Sequence, residues 1–84
     1  MVMTAEQLRA LIAEGLPCTH IEVSGDGRHW AAVVVSPAFE GKRAIQRHQM
    51  VYATLGQRIH TDEVHALSMR TYTPAEWQAA AARA

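Results

Sequence analysis

Two histidines attract attention first, because each opens a run of β-prone residues: His29 precedes WAAVVV and His65 precedes ALSMRTY. Imidazole ligates zinc, copper and iron, and it can replace thiolate on one iron of a 2Fe-2S centre. A closed structural zinc site takes four protein ligands and a catalytic site usually three, so a pair of histidines needs a partner molecule to complete the coordination. The plainer role for strand-end histidines is hydrogen-bonded structure, and residue type alone leaves both roles open.

The remaining reactive side chains argue for less. Cys18 is the single cysteine; it sits beside Pro17 with no CxxC spacing and no evident base, which fits a small buried hydrophobe. His48 falls on a helical stripe and reads as a core histidine, whereas His20 and His60 read as solvated. Arg28, Lys42, Arg43 and Arg47 form the basic cluster of the chain, and the last three lie near the start of one predicted helix, where a phosphate could dock. Aromatic interleaving for base stacking is missing there. The chain contains no G-x-S-x-G, H-E-x-x-H, P-loop or dinucleotide fingerprint, and Glu63 near His65 does not by itself make an acid-base pair. An enzyme is not expected.

The elements that must position these residues follow from periodicity. TAEQLRALIAEG carries Thr4 and Gln7 at capping-box spacing, with Leu8, Leu11 and Ile12 on one face, and predicts a helix ending at Gly15. THIEVSG alternates, with Ile21 and Val23 on one side, and predicts a strand. Gly25, Asp26 and Gly27 tolerate positive φ and predict a hairpin into a second strand over 29–35, whose Val33, Val34 and Val35 point to a central position. Ile45, His48, Tyr52, Leu55 and Ile59 step by three and four, predicting a helix with that stripe inward. Residues 64–72 predict a third strand, with His65, Leu67 and Met69 on one face. Thr73, Pro74 and Glu76 then combine a capping box with proline at the first helical position, ahead of a final helix. The order helix, strand, strand, helix, strand, helix implies an α+β fold. Its mixed three-stranded sheet has the first pair antiparallel, the second parallel through a right-handed crossover, and helices on one face. Parallel pairing would bring the beginnings of the second and third strands, and so His29 and His65, to one edge.

Composition sets the outer bounds. Eighty-four residues give room for a single domain, 1–84, with 78–84 prone to fraying at its alanine-rich end, and 49% hydrophobic residues can form one modest core. Eight basic and eight acidic residues cancel, so any attraction to nucleic acid must be local. The lone cysteine, with no long apolar run, predicts a reducing, cytoplasmic setting.

FEGKRAIQRHQMVYATL (39–55) followed by HALSMRTYTPAEW (65–77) resembles the BolA family, and the leading helix and the strand pair ending in VVVSPAFEG follow that family's order. The resemblance covers nearly the whole chain and implies a class II KH-like fold. It implies further that His65, the histidine of the HAL motif, is a ligand to a 2Fe-2S cluster shared with a monothiol glutaredoxin. His29, before Trp30, is similar to the second ligand that the family supplies between its first two strands. A binding module acting with glutaredoxin in iron-sulfur trafficking or iron homeostasis is therefore the expected function. The alternative is a DNA-binding stress or transcriptional regulator using Lys42, Arg43 and Arg47. Gly41 is followed by Lys42, Arg43 and Ala44 with no second glycine, so KH-style gripping of RNA is not expected.

Overall fold

The computed structural model describes residues 4–25, 29–56 and 66–82. Helix α1 (Ala5–Gly15) begins where the sequence places it. The Gln7 backbone N–H donates to Thr4 Oγ1 at 3.1 Å and the Thr4 N–H donates to Gln7 Oε1 at 2.9 Å, so two donors at the helix start are satisfied reciprocally. Leu8 and Ile12, one turn apart, are fully buried.

Strand β1 (His20–Gly25) pairs antiparallel with β2 (His29–Val35), and β2 pairs parallel with β3 (Ala66–Tyr72). The order β1-β2-β3 makes β2 the middle strand, as its valine run predicts. Asp26 and Gly27 of the expected turn, and residues 64 and 65 of the expected third strand, lie outside the described residues. Gly25 is described, and its role differs from the expectation. It is the last residue of β1, directly opposite Trp30, and it is absent from the glycines at positive φ. A Cβ there would stand 2.4 Å from Trp30 Cε3, so glycine is required for the close approach of the indole.

A 3₁₀ turn over Pro37–Phe39 leads from β2 toward helix α2 (Ala44–Leu55). The turn is held by Ser36, whose buried hydroxyl donates to the Pro17 carbonyl at 2.8 Å and accepts from the Ala38 N–H at 3.1 Å. Helix α2 ends at Gly56, whose φ of 60° suits a residue without a Cβ. Helix α3 (Pro74–Ala82) follows β3 directly.

Trp30, Ala32 and Val34 of β2 point to the side covered by α1 and α2 and join Leu8, Ile12, Ile21, Phe39, Val51 and Leu55 in the core. The predicted layer of helices on one face is thus formed by α1 and α2. Helix α3 lies at the far end of the strands. Its Trp77 stacks on His20 with ring centroids 4.9 Å apart and meets Tyr72 at 5.3 Å. His20, Val35 and Tyr72 form one row across the sheet, and by alternation that row belongs to the other face; Val35 in its middle is fully buried. His20, expected to be solvated, is so only in part: its side chain is 39% exposed while it stacks on Trp77 and hydrogen-bonds Glu22 Oε2 through Nε2 at 2.5 Å.

The stripe expected on α2 is realised in part, since Leu55 lies in the core and Tyr52 packs against it while Ile45 does not. Val51 and Leu55 are fully buried, whereas Ile45 is 66% exposed and His48 and Tyr52 are half-buried. The buried line runs through Val51 and Leu55, so the inward face includes the later part of the expected stripe and leaves out its first residue, and α2 packs there against α1 as well as β3. Ile59 and His60 lie outside the described residues.

Candidate functional site

His29 is the first residue of β2, and its cross-strand partner is Ala66, the first residue of β3. The parallel register that was expected from the crossover therefore brings the two strand beginnings together. His29 is exposed, on the side of the sheet opposite the core, in alternation with buried Trp30. His65 precedes Ala66 in sequence and lies outside the described residues, as do Glu63 and Arg28. Beside His29, the indole Nε1 of Trp30 is buried without a hydrogen-bond partner, a feature that sequence patterning cannot reveal.

Beyond His29, the face away from the core continues through Ala31 and Val33, flanked by Glu22 and Ser24 of β1 and Ser68 and Arg70 of β3. These side chains border an open groove of about 440 Å³. Small side chains at Ser24, Ala31 and Ser68 leave this depression. Cys18 is half-buried at the opposite end of the sheet, just before β1, and burial pushes its thiol pKa up, which disfavours the thiolate needed for metal ligation or nucleophilic attack.

The basic residues of the predicted phosphate site part company. Lys42 and Arg43 are exposed at the start of α2. The Arg47 side chain is 13% exposed and turns inward. Its Nη1 donates to Glu76 Oε1 at 2.8 Å, its Nε donates to the Lys42 carbonyl at 3.0 Å, and its guanidinium carbon sits 5.9 Å above the centroid of the Phe39 ring. Arg47 thereby joins the 3₁₀ turn, α2 and α3, leaving two of the three cations facing solvent. The signal for this lay in Glu76, a carboxylate 29 residues away that the sequence assigns only to a helix cap.

Comparison with known proteins places this geometry. A family model described as BolA-like protein matches residues 13–76. The chain belongs to the BolA-like family. Among its relatives, the DNA-binding transcriptional regulator BolA of Escherichia coli is 42% identical over 59 residues, covering 70% of this chain and 55% of the relative. A solved BolA homologue from Coxiella burnetii is 42% identical with a TM-score of 0.76, covering 90% of this chain and 97% of the other. The BolA domain of SufE1 from Arabidopsis thaliana is 33% identical with a TM-score of 0.73, covering 86% of this chain and 93% of that domain. The BolA-like chain thus shares its mixed sheet and three helices with solved members of the family. Among its described residues no helix is long and apolar enough to cross a membrane.

Proposed function

We propose that this BolA-like chain is a non-catalytic adaptor that binds a monothiol glutaredoxin and shares a 2Fe-2S cluster with it, acting in iron-sulfur trafficking or iron homeostasis. The observation that carries this reading is the pairing of exposed His29 with Ala66, the residue that follows His65 in the HAL motif. An exposed imidazole at a strand beginning is a suitable nitrogen donor for iron, and Trp30 beneath it is anchored in the core, which limits the freedom of its neighbour. His65 and His29 would hold the cluster from this side; thiolates of the partner would complete the iron coordination. The cluster supplies redox-active, transferable iron and sulfide, while this chain contributes donors and a docking surface. SufE1, among the similar structures, carries the same fold as one domain, in keeping with a module that works alongside other protein parts.

DNA binding is weaker as a reading of this chain, although a relative is named for it. Arg47 is engaged by Glu76, and two exposed cations make a short track for a phosphate backbone whose affinity grows with each phosphate neutralised.

Mixing the protein with a cluster-loaded monothiol glutaredoxin tests the proposal. The expected result is a heterocomplex whose visible absorption and circular dichroism differ from those of the all-thiolate glutaredoxin homodimer, with His65→Ala abolishing the difference. A mixed complex whose cluster and spectrum are unaffected by His65→Ala would overturn the ligand assignment.

A further inference from the structure

We propose that the exposed start of α2, formed by Lys42, Arg43 and Ile45, is a second docking surface, one that takes an acidic protein segment carrying an aliphatic anchor. Ile45 is the exposed large hydrophobic residue among those described, at 66% accessibility, and it stands in the first turn of a helix whose core contacts are made by Val51 and Leu55. A single surface apolar residue is ordinary. Ile45 differs because half-buried His48 and Tyr52 lie three and seven positions on, so a strip of apolar and aromatic surface descends from it along the helix. Isoleucine is also a poorer helix former than alanine or glutamine, so the helix itself gains nothing from it there.

Charge specifies the partner. From Lys42 to Gly56 the chain carries Lys42, Arg43 and Arg47 and no carboxylate; Glu40 is the nearest acidic residue before them. Arg47 is turned into its pair with Glu76, so the cations available beside Ile45 are Lys42 and Arg43. Gln46 is likewise occupied, its Oε1 accepting from the Arg43 N–H at 2.9 Å. Two cations around one aliphatic side chain match a peptide whose leucine or isoleucine packs on Ile45 while flanking carboxylates meet Lys42 and Arg43. A nucleic-acid backbone would use the cations but gains nothing from the isoleucine. Opposite charges would also steer the encounter.

Position makes the surface independent of the histidine end. Arg47 reaches the Thr71 carbonyl near the close of β3, whereas His29 pairs with Ala66 at its beginning. Five strand residues separate these levels, roughly 17 Å at about 3.3 Å per residue. A partner at His29 and a second at Ile45 can therefore bind at once, which is the arrangement an adaptor needs, and the inference holds whether or not a cluster is bound at the far end.

The test is a titration of the full, ¹⁵N-labelled protein with a synthetic peptide in which one leucine is flanked on each side by two glutamates. Parallel titrations use the same peptide with serine for leucine, and a short DNA duplex. Saturable amide shifts confined to 42–49 with the leucine peptide are expected. Affinity should fall roughly fivefold to tenfold, as burial of about half of one aliphatic side chain implies, both for the serine peptide and in Ile45→Ser. Lys42→Glu with Arg43→Glu should abolish binding. The unfolding midpoint of each variant, expected to match that of the parent, keeps misfolding from imitating the result. Absence of saturable shifts at 42–49, equal affinity for the leucine and serine peptides, or tighter binding of DNA than of peptide with no effect of Ile45→Ser would each overturn the proposal.

Discussion

Arg47 and Glu76 form an ion pair at 2.8 Å, and the Glu76 oxygen that accepts from Arg47 also accepts from the Thr73 backbone N–H at 2.8 Å. One carboxylate thus closes the capping box of α3 and ties that helix to the start of α2. The Arg47 guanidinium, with the Thr73 amide second, holds the Glu76 carboxyl below the usual carboxylate range. Because the folded-state pKa is depressed, the stabilisation is fully present above the unfolded value near ~4.3 and is lost as pH falls through the folded value. The native protein should therefore lose stability on acidification in part through this group, and Glu76→Gln should flatten the acid limb of a stability-against-pH curve. An unaltered acid limb would refute the linkage.

Thr73 completes the same box from the other side, its Oγ1 accepting from the Glu76 N–H at 3.2 Å within a residue that is only 7% exposed. Thr73→Ala should cost about 1 kcal/mol and lower the thermal midpoint by roughly 4–8 °C in a domain of this size. Differential scanning calorimetry decides the matter; a midpoint within one degree of the parent argues that the cap contributes nothing.

Helix caps and strand order were legible in the sequence, and side-chain engagement between distant elements was not. The Thr4–Gln7 and Thr73–Glu76 boxes, the central position of β2 and the parallel pairing of β2 with β3 rest on spacings within a few residues or on crossover geometry, and each is realised. The inward turn of Arg47 depends on a carboxylate 29 residues on, and the stacking of His20 depends on Trp77 at the other end of the chain; no local pattern encodes either. Gly25 was legible as a special residue but not for the right reason, since a glycine opposite a tryptophan reads the same as a glycine in a turn. Of the candidate site, the meeting of the strand beginnings was legible and is seen at His29 and Ala66. His65 itself falls outside the described residues.

The observed burial on α2 reverses the order in which its expected stripe ranks two residues, for Ile45 belongs to that stripe and Val51 does not. Val51→Ala removes two carbons from a fully buried site and should cost roughly 2 kcal/mol, counting lost transfer energy and the residual cavity. Ile45→Ser, at a position 66% exposed, should change stability by no more than about 0.5 kcal/mol. Urea unfolding of the two variants measures the contrast, and equal losses would place Ile45 in the core after all.

Gly25→Ala should destabilise the protein by about 1–3 kcal/mol through overpacking. The new methyl would meet Trp30 Cε3 at 2.4 Å and the His29 carbonyl oxygen at 2.6 Å, and the indole is held in the core with 4% exposure, so neither neighbour has an easy retreat. A changed near-ultraviolet circular dichroism with a preserved far-ultraviolet spectrum is the expected signature. A variant as stable as the parent would mean that the strand end yields freely.

His29 and Cys18 offer the sharpest separation of a ligand from a bystander. His29 stands exposed at the beginning of β2, opposite the residue that follows His65, while Cys18 lies before β1, beyond the other end of β2, with its thiol held toward the neutral form by burial. In the mixed complex with a monothiol glutaredoxin, His29→Ala should therefore alter the visible circular dichroism or shorten the lifetime of the cluster toward a chelator, whereas Cys18→Ser should leave both near the parent values. The unfolding midpoint of His29→Ala, measured beside the spectrum, separates a lost ligand from a lost fold. If His29→Ala is silent and Cys18→Ser bleaches the cluster, the donor on this chain is the thiol and the pairing of the strand beginnings has no part in holding iron.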